Sequence, residues 1–291
     1  MGSERTIDVG GIKTRYYEAG SGEPIVFIYG GNFGSSDSGS NAFTWNLNLA
    51  SLARRFRAIA FDKVGQGYTD NPLNDDYTMA AVVRHATAFI EAMKLPPLHL
   101  VGHSRGGYCA ARLTLERPDL VRSLTIINSG TLSPGVSTND VVLSKPPFPP
   151  FTRESARWVY ENYCYRREAV TDDWIEAVVV ALNTPKYRES VRKMEEEQLR
   201  VKLFLPQLAR DKRETLTWIN EGRLQRPTQI IWGGNDRTIV LERGVEIFEM
   251  MAAQYRRTDF HVINHSGHFP FRENPERFNA LLAGFVALHS P

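Results

Sequence analysis

The chain has 291 residues, a formal net charge of +2, and ordinary shares of hydrophobic (42%) and charged (23%) residues. That length suits one large α/β domain carrying an insertion, and the small charge, without a long basic block, gives no footprint for nucleic acid or an anionic membrane. No apolar run is long enough to span a bilayer, and residues 1–11 hold neither an apolar core nor a small-residue cleavage pattern, so no leader and a cytoplasmic setting are expected.

In chain order, Thr6–Val9 and Ile12–Tyr17 flank Gly10-Gly11 and predict a hairpin. Ile25–Tyr29 is a continuous apolar strand of the kind covered on both faces. It runs into Gly30-Gly31-Asn32-Phe33-Gly34, which lacks the Gly-Lys-Ser/Thr of a phosphate loop. Trp45–Arg54 reads as a helix, Ala58–Phe61 as a strand ending at Asp62, and Met79–Met93 as a helix with Thr78 as its N-cap. Leu98 to Gly107 reads LHLVGHSRGG: a short strand, a G-x-S-x-G turn centred on Ser104, and a helix to about Arg117. A strand–turn–helix context exposes the central serine beside the N–H groups of a helix N-terminus, a nucleophile next to an anion site. Leu124–Ile127 is the next strand.

From Thr131 to about Arg226 the pattern changes. A Pro-rich Lys145–Pro150 is followed by helical stretches at Arg153–Tyr163, Asp172–Leu182, Lys186–Arg200 and around Lys212–Asn220. This reads as a helical cap, residues 131–226, over a core of residues 1–130 and 227–291. Its aromatics (Phe151, Trp158, Tyr160, Tyr163, Tyr165, Trp174 and Trp218) read mostly as the cap's own packing, with Trp158 and Trp174 as candidates for the pocket. The alternation then resumes. Thr228–Trp232 is a strand, Glu242–Ala253 a helix, Asp259–Ile263 a strand, and Pro275–Leu288 a helix with Asn274 as N-cap. Alternating strands and helices argue for a mostly parallel sheet covered on both faces.

Ser104, Asp236 and His268 each fall just past the end of a predicted parallel strand, the edge where open α/β sheets bind ligands. Serine needs a base to take its proton, histidine titrates near neutrality, and aspartate fixes the imidazole tautomer. His265 is the rival base, but His268 has Gly267 before it and Phe269-Pro270-Phe271 after it. His103 is expected to pack on the far side of the turn, and His85, His99, His261 and His289 sit inside elements. Asn128 occupies the other place where an acid could stand, which favours Asp236. Cys109 and Cys164 are expected to be unpaired, and no His/Cys/Glu cluster has metal spacing.

GHSRGG, PTQIIWGGNDRTIV and HSGHFPFRENPERFNALLAGF resemble the α/β-hydrolase fold family, and the resemblance runs over essentially the whole chain. It implies a cofactor-free, metal-free serine hydrolase of a small-molecule substrate; a homodimer is compatible with it. It implies an oxyanion hole from the N–H of Arg105 and one from the Gly31-Asn32 region. FDKVGQGYTDNP, EAVTDDWIEA and GHFPFREN are similar to the meta-cleavage-product hydrolases, which cut a carbon–carbon bond in ring-opened aromatic dienoates. Two departures stand out. Val178 aligns where that group carries a carboxylate-binding Arg on a cap helix, and Phe269 where it carries Trp, so these two residues are expected in the pocket. Arg105, Arg188 and Arg192 are the candidates to replace the missing cation. An ester-cleaving enzyme, and a slow-turnover ligand receptor on the same fold, are the competing readings.

Overall fold

The computed structural model describes residues 1–135 and 146–291. Its strands are β1 (Ser3–Val9), β2 (Ile12–Ala19), β3 (Pro24–Ile28), β4 (Arg57–Phe61), β5 (Leu98–His103), β6 (Val121–Ile127), β7 (Thr228–Gly233) and β8 (Thr258–Ile263). They form one sheet in the order β1-β2-β4-β3-β5-β6-β7-β8. β1 and β2 pair antiparallel, as do β2 and β4; every other pair is parallel. The Gly10-Gly11 turn explains the hairpin, since both glycines take φ of +61° and +85°.

Side chains alternate between the two sheet faces. Val26, Ile28, Ile59, Phe61, Leu100, Ile126 and Trp232 pack on one face with α2 (Met79–Ala92), α3 (Arg105–Glu116) and α8 (Leu241–Ala252). Ile25, Phe27, Tyr29, Ala60, Val101 and Ile231 pack on the other with α1 (Asn46–Leu52) and α10 (Pro275–Leu288). Both faces are covered, so the central strands are apolar throughout rather than alternating. Thr78 caps α2 as expected, its side chain accepting from the N–H of Ala81 at 3.0 Å.

Between β6 and β7 the described elements are helical: α4 (Arg153–Tyr163), α5 (Asp172–Leu182), α6 (Pro185–Glu195), a wide π-type turn at Arg200–Phe204, and α7 (Leu205–Asn220). The expected helices α4 and α5 have the bounds read from the sequence. The third differs: α6 stops at Glu195, and Gln198 at φ +62° interrupts the chain before Arg200. The fourth starts earlier than expected, because Pro206 sits in the first turn of α7, where its missing N–H costs nothing. Residues 136–145, including Lys145 of the Pro-rich stretch, lie outside the described residues. Asn274 holds the N-cap position of α10 as expected, but its side chain makes no capping bond; its amide donates instead to His265 O and Ser266 Oγ. A short α9 (Pro270–Glu273) precedes it.

Candidate active site

Ser104 links β5 to α3 with φ +53° and ψ −122°, a conformation L-residues rarely adopt. The surroundings hold it there. Its N–H donates to Ile127 O at 2.8 Å, and its carbonyl accepts from Ser129 Oγ at 2.6 Å and Gly107 N at 2.9 Å. A Cβ on Gly102 would lie 2.3 Å from Gly106 O, and one on Gly106 would lie 2.2 Å from Ile28 O. Both positions therefore require glycine if α3 is to approach β5 and the end of β3 this closely.

Asp236 follows β7 and is buried, and His268 follows β8. His268 Nδ1 donates to Asp236 Oδ2 at 2.7 Å, which leaves Nε2 free of the proton as an acceptor. Asn128 Nδ2 donates to the same oxygen at 2.8 Å. The other carboxylate oxygen accepts from Thr238 N (2.8 Å), Thr238 Oγ1 (2.6 Å) and Ile239 N (3.0 Å). Burial pushes the Asp236 carboxyl up, but the His268 charge and these hydrogen bonds outweigh it and hold it below its ordinary value. Ser104 and His268 line one cavity of about 770 Å³. No hydrogen bond joins Ser104 Oγ to His268 among the described residues, and such contacts commonly tighten only when a ligand is bound.

Arg105, Gly31 and Asn32, the expected oxyanion-hole residues, all line the same cavity. Lys63, which sequence reasoning passed over, explains the set of that loop. Its buried ammonium donates to Gly30 O at 2.8 Å and Gly31 O at 3.2 Å and so fixes both carbonyls. Burial pushes its pKa down to about 7. Gly31 sits at φ +81°, and a Cβ on Gly30 would lie 2.7 Å from Ser104 Cβ.

One more residue was missed, and another sits differently from expectation. Glu273, buried at 2% exposure, accepts from Gly267 N and Phe269 N through one oxygen and from Tyr165 N and Arg166 N through the other. It ties the His268 loop to the end of α4. His103 is not simply packed away from the nucleophile: it lines the cavity, and its Nε2–H donates to His268 O at 2.8 Å. Burial holds its pKa well below the ordinary value, so it is neutral. His265 is exposed and takes no part.

The pocket expectations divide. Phe269 lines the cavity, together with Tyr160 and Tyr163. Trp158, Trp174 and Val178 do not. The inward positions of α4 are Ala156, Tyr160 and Tyr163, and Trp158 falls on another face of that helix. Trp174 is fully enclosed behind the wall, edge-on to Tyr160 and Phe269, with Arg272 over its ring. Val178 is fully buried in the packing where α5 meets Gly39. Cys109 and Cys164 are both buried and free. Among the described residues no cluster could hold a metal ion, and no helix is long and apolar enough to cross a membrane.

Residues 23–275 match the alpha/beta hydrolase fold family. The chain belongs to this family. It is 27% identical to a 2-hydroxy-6-oxo-6-(2'-aminophenyl)hexa-2,4-dienoic acid hydrolase of Metapseudomonas resinovorans, over 96% of this chain and 90% of the relative. It is 28% identical to a 2-hydroxymuconate semialdehyde hydrolase of Pseudomonas sp. (strain CF600), over 97% and 93%. Among solved structures it resembles a serine hydrolase involved in carbazole degradation, with TM-score 0.78, 25% identity, and 99% and 100% of the two chains covered.

Proposed function

We propose that this family member is a serine hydrolase that cleaves the carbon–carbon bond beside the ketone of a ring-opened aromatic dienoate, with residues 131–226 as its cap. The observation that carries the hydrolase reading is the Asp236–His268 hydrogen bond, aimed at the cavity that the strained Ser104 enters. The full-length likeness to dienoate hydrolases supports the substrate class. In this reading Ser104 Oγ attacks the ketone carbon as His268 Nε2 takes its proton, and Asp236 stabilises the imidazolium. The N–H groups of Arg105 and the Gly31-Asn32 segment meet the developing oxyanion. The 2-hydroxyl proton first moves to C5, giving the keto form; the C5–C6 bond then breaks with its electron pair passing through the enone to the 2-oxo oxygen, and the resulting dienolate takes the proton held by His268. Water then supplies hydroxide to the acyl fragment and a proton back to Ser104, so the net change is addition of one water.

A second reading, a carboxylesterase, is favoured by one observation: Val178, in the place of the group's cap arginine, offers no cation and is enclosed in the core. Parallel turnover of a dienoate and an aryl ester decides between them. The C–C reading predicts the larger kcat/KM on the dienoate, and a purely esterolytic enzyme would reverse that order.

A further inference from the structure

Arg105 has an unusual environment for a guanidinium. It is the first residue of α3, beside Ser104, and it lines the cavity. Its charge centre lies 5.0 Å from the centroid of the Phe204 ring, in the turn before α7. Its Nη1 is buried without a hydrogen-bond partner. Among the described residues no carboxylate forms an ion pair with it, while every other arginine of α3 and α4 has one. Arg200, from the turn before α7, adds a like charge that works against it. Burial pushes its pKa down to about 10, which still leaves it charged at neutral pH.

The rest of the wall has the same sign. Lys212 and Arg213 of α7 line the cavity, and no acidic residue does among those described. The other two candidate arginines are excluded. Arg188 lies over the Phe151 ring and donates to Asn183, and Arg192 is paired with Glu189 and Glu197. An enclosed cation with a free donor, a like-charged neighbour and no internal counter-ion is incomplete without an anion. The α3 N-terminus adds positive potential at the same place.

We propose that Arg105 is the anion receptor of this cavity and takes a carboxylate of the substrate through its guanidinium fork. The proposal deepens the dienoate reading and rests on it for the substrate's identity. It moves the cation from the cap to the residue next to the nucleophile, so that anion and scissile ketone are positioned by adjacent residues of one turn. A planar fork suits a carboxylate better than a lysine ammonium would.

Binding tests this without turnover. Ser104→Ala protein is titrated with hexa-2,4-dienoate and with its methyl ester at neutral pH. The anion is expected to bind more tightly, and Arg105→Met in the same background should cut that preference about 10- to 100-fold. Arg105→Lys, which keeps the charge, should retain part of it and controls for a folding defect. A parent protein with no preference for the anion, or an Arg105→Met protein that keeps the preference, overturns the proposal. Two carboxylates could be the one received, and turnover separates them. On a methyl-ketone dienoate and on one whose acyl side ends in a second carboxylate, Arg105→Met should depress kcat/KM on both if the dienoate end is bound, and on the second alone if the acyl end is bound. Unchanged values on both overturn it. Wild-type protein that cleaves neither compound defeats the dienoate reading, while the binding titration still decides the role of Arg105.

Discussion

Asn128 Nδ2 and the His268 ring donate to the same oxygen of Asp236, at 2.8 and 2.7 Å. Asn128 Oδ1 in turn accepts from Gly233 N at 3.0 Å, so the end of β6 fixes the carboxylate that follows β7. Asn128→Ala should therefore lower kcat about tenfold with little change in KM, since one charge-assisted hydrogen bond is worth about 1.5 kcal/mol or more. Asn128→Asp should be worse and should move the acid limb of the kcat/KM profile to higher pH, because a second carboxylate beside the ring favours its protonated form. Steady-state kinetics from pH 5 to 9 checks both; an unchanged profile in Asn128→Asp would count against a positioning role.

Two of the buried histidines set an acid limit on stability. Burial lowers both His85 and His99 from 6.5 to about 4. Each is neutral when folded and protonates in the unfolded chain below about pH 6.5, so stability is full above that pH and is lost as pH falls toward 4. The loss at pH 5 is about 2 kcal/mol for each group. His103 adds to it in the same direction. Urea midpoints should fall from pH 7.5 to pH 5, and His85→Gln, which can still reach Thr14 Oγ1, should reduce that fall.

One glycine beside the site and one remote from it separate strain from propensity. A Cβ on Gly267 would lie 2.6 Å from Tyr163 O and from Tyr165 N, while one on Gly284, inside α10, meets nothing within 4 Å. Gly267→Ala should cost about 1–3 kcal/mol and depress kcat, because the backbone carrying His268 must shift. Gly284→Ala should stabilise by about 0.5–1 kcal/mol and leave kinetics alone. Thermal melts and kcat on the two proteins measure the contrast.

The sheet and the helices were legible because apolar runs and turn residues are local signals. The Pro275 start of α10 and the bounds of α4 and α5 needed no tertiary information. The placement of Ser104, Asp236 and His268 was legible because each follows a strand end. The pocket wall was not. Whether Trp158 or Tyr160 faces the cavity depends on how α4 is rotated against the sheet, and the enclosure of Val178 depends on the approach of the Gly39 loop. Lys63 and Glu273 were invisible for a related reason. Their partners are backbone groups, those of Lys63 and two of the four of Glu273 on distant segments, which no side-chain pattern records.

The most direct measurement of the central claim follows loss of the conjugated chromophore of a 2-hydroxy-6-oxo-dienoate, with the acid product quantified, in wild-type and Ser104→Ala protein. The account predicts equimolar acid and dienoate fragments from wild type, a kcat lower by about 10⁴-fold or more in Ser104→Ala, and retained substrate binding in the variant. Turnover by Ser104→Ala at the wild-type rate, or a wild-type protein that hydrolyses aryl esters and leaves the dienoate intact, would contradict it.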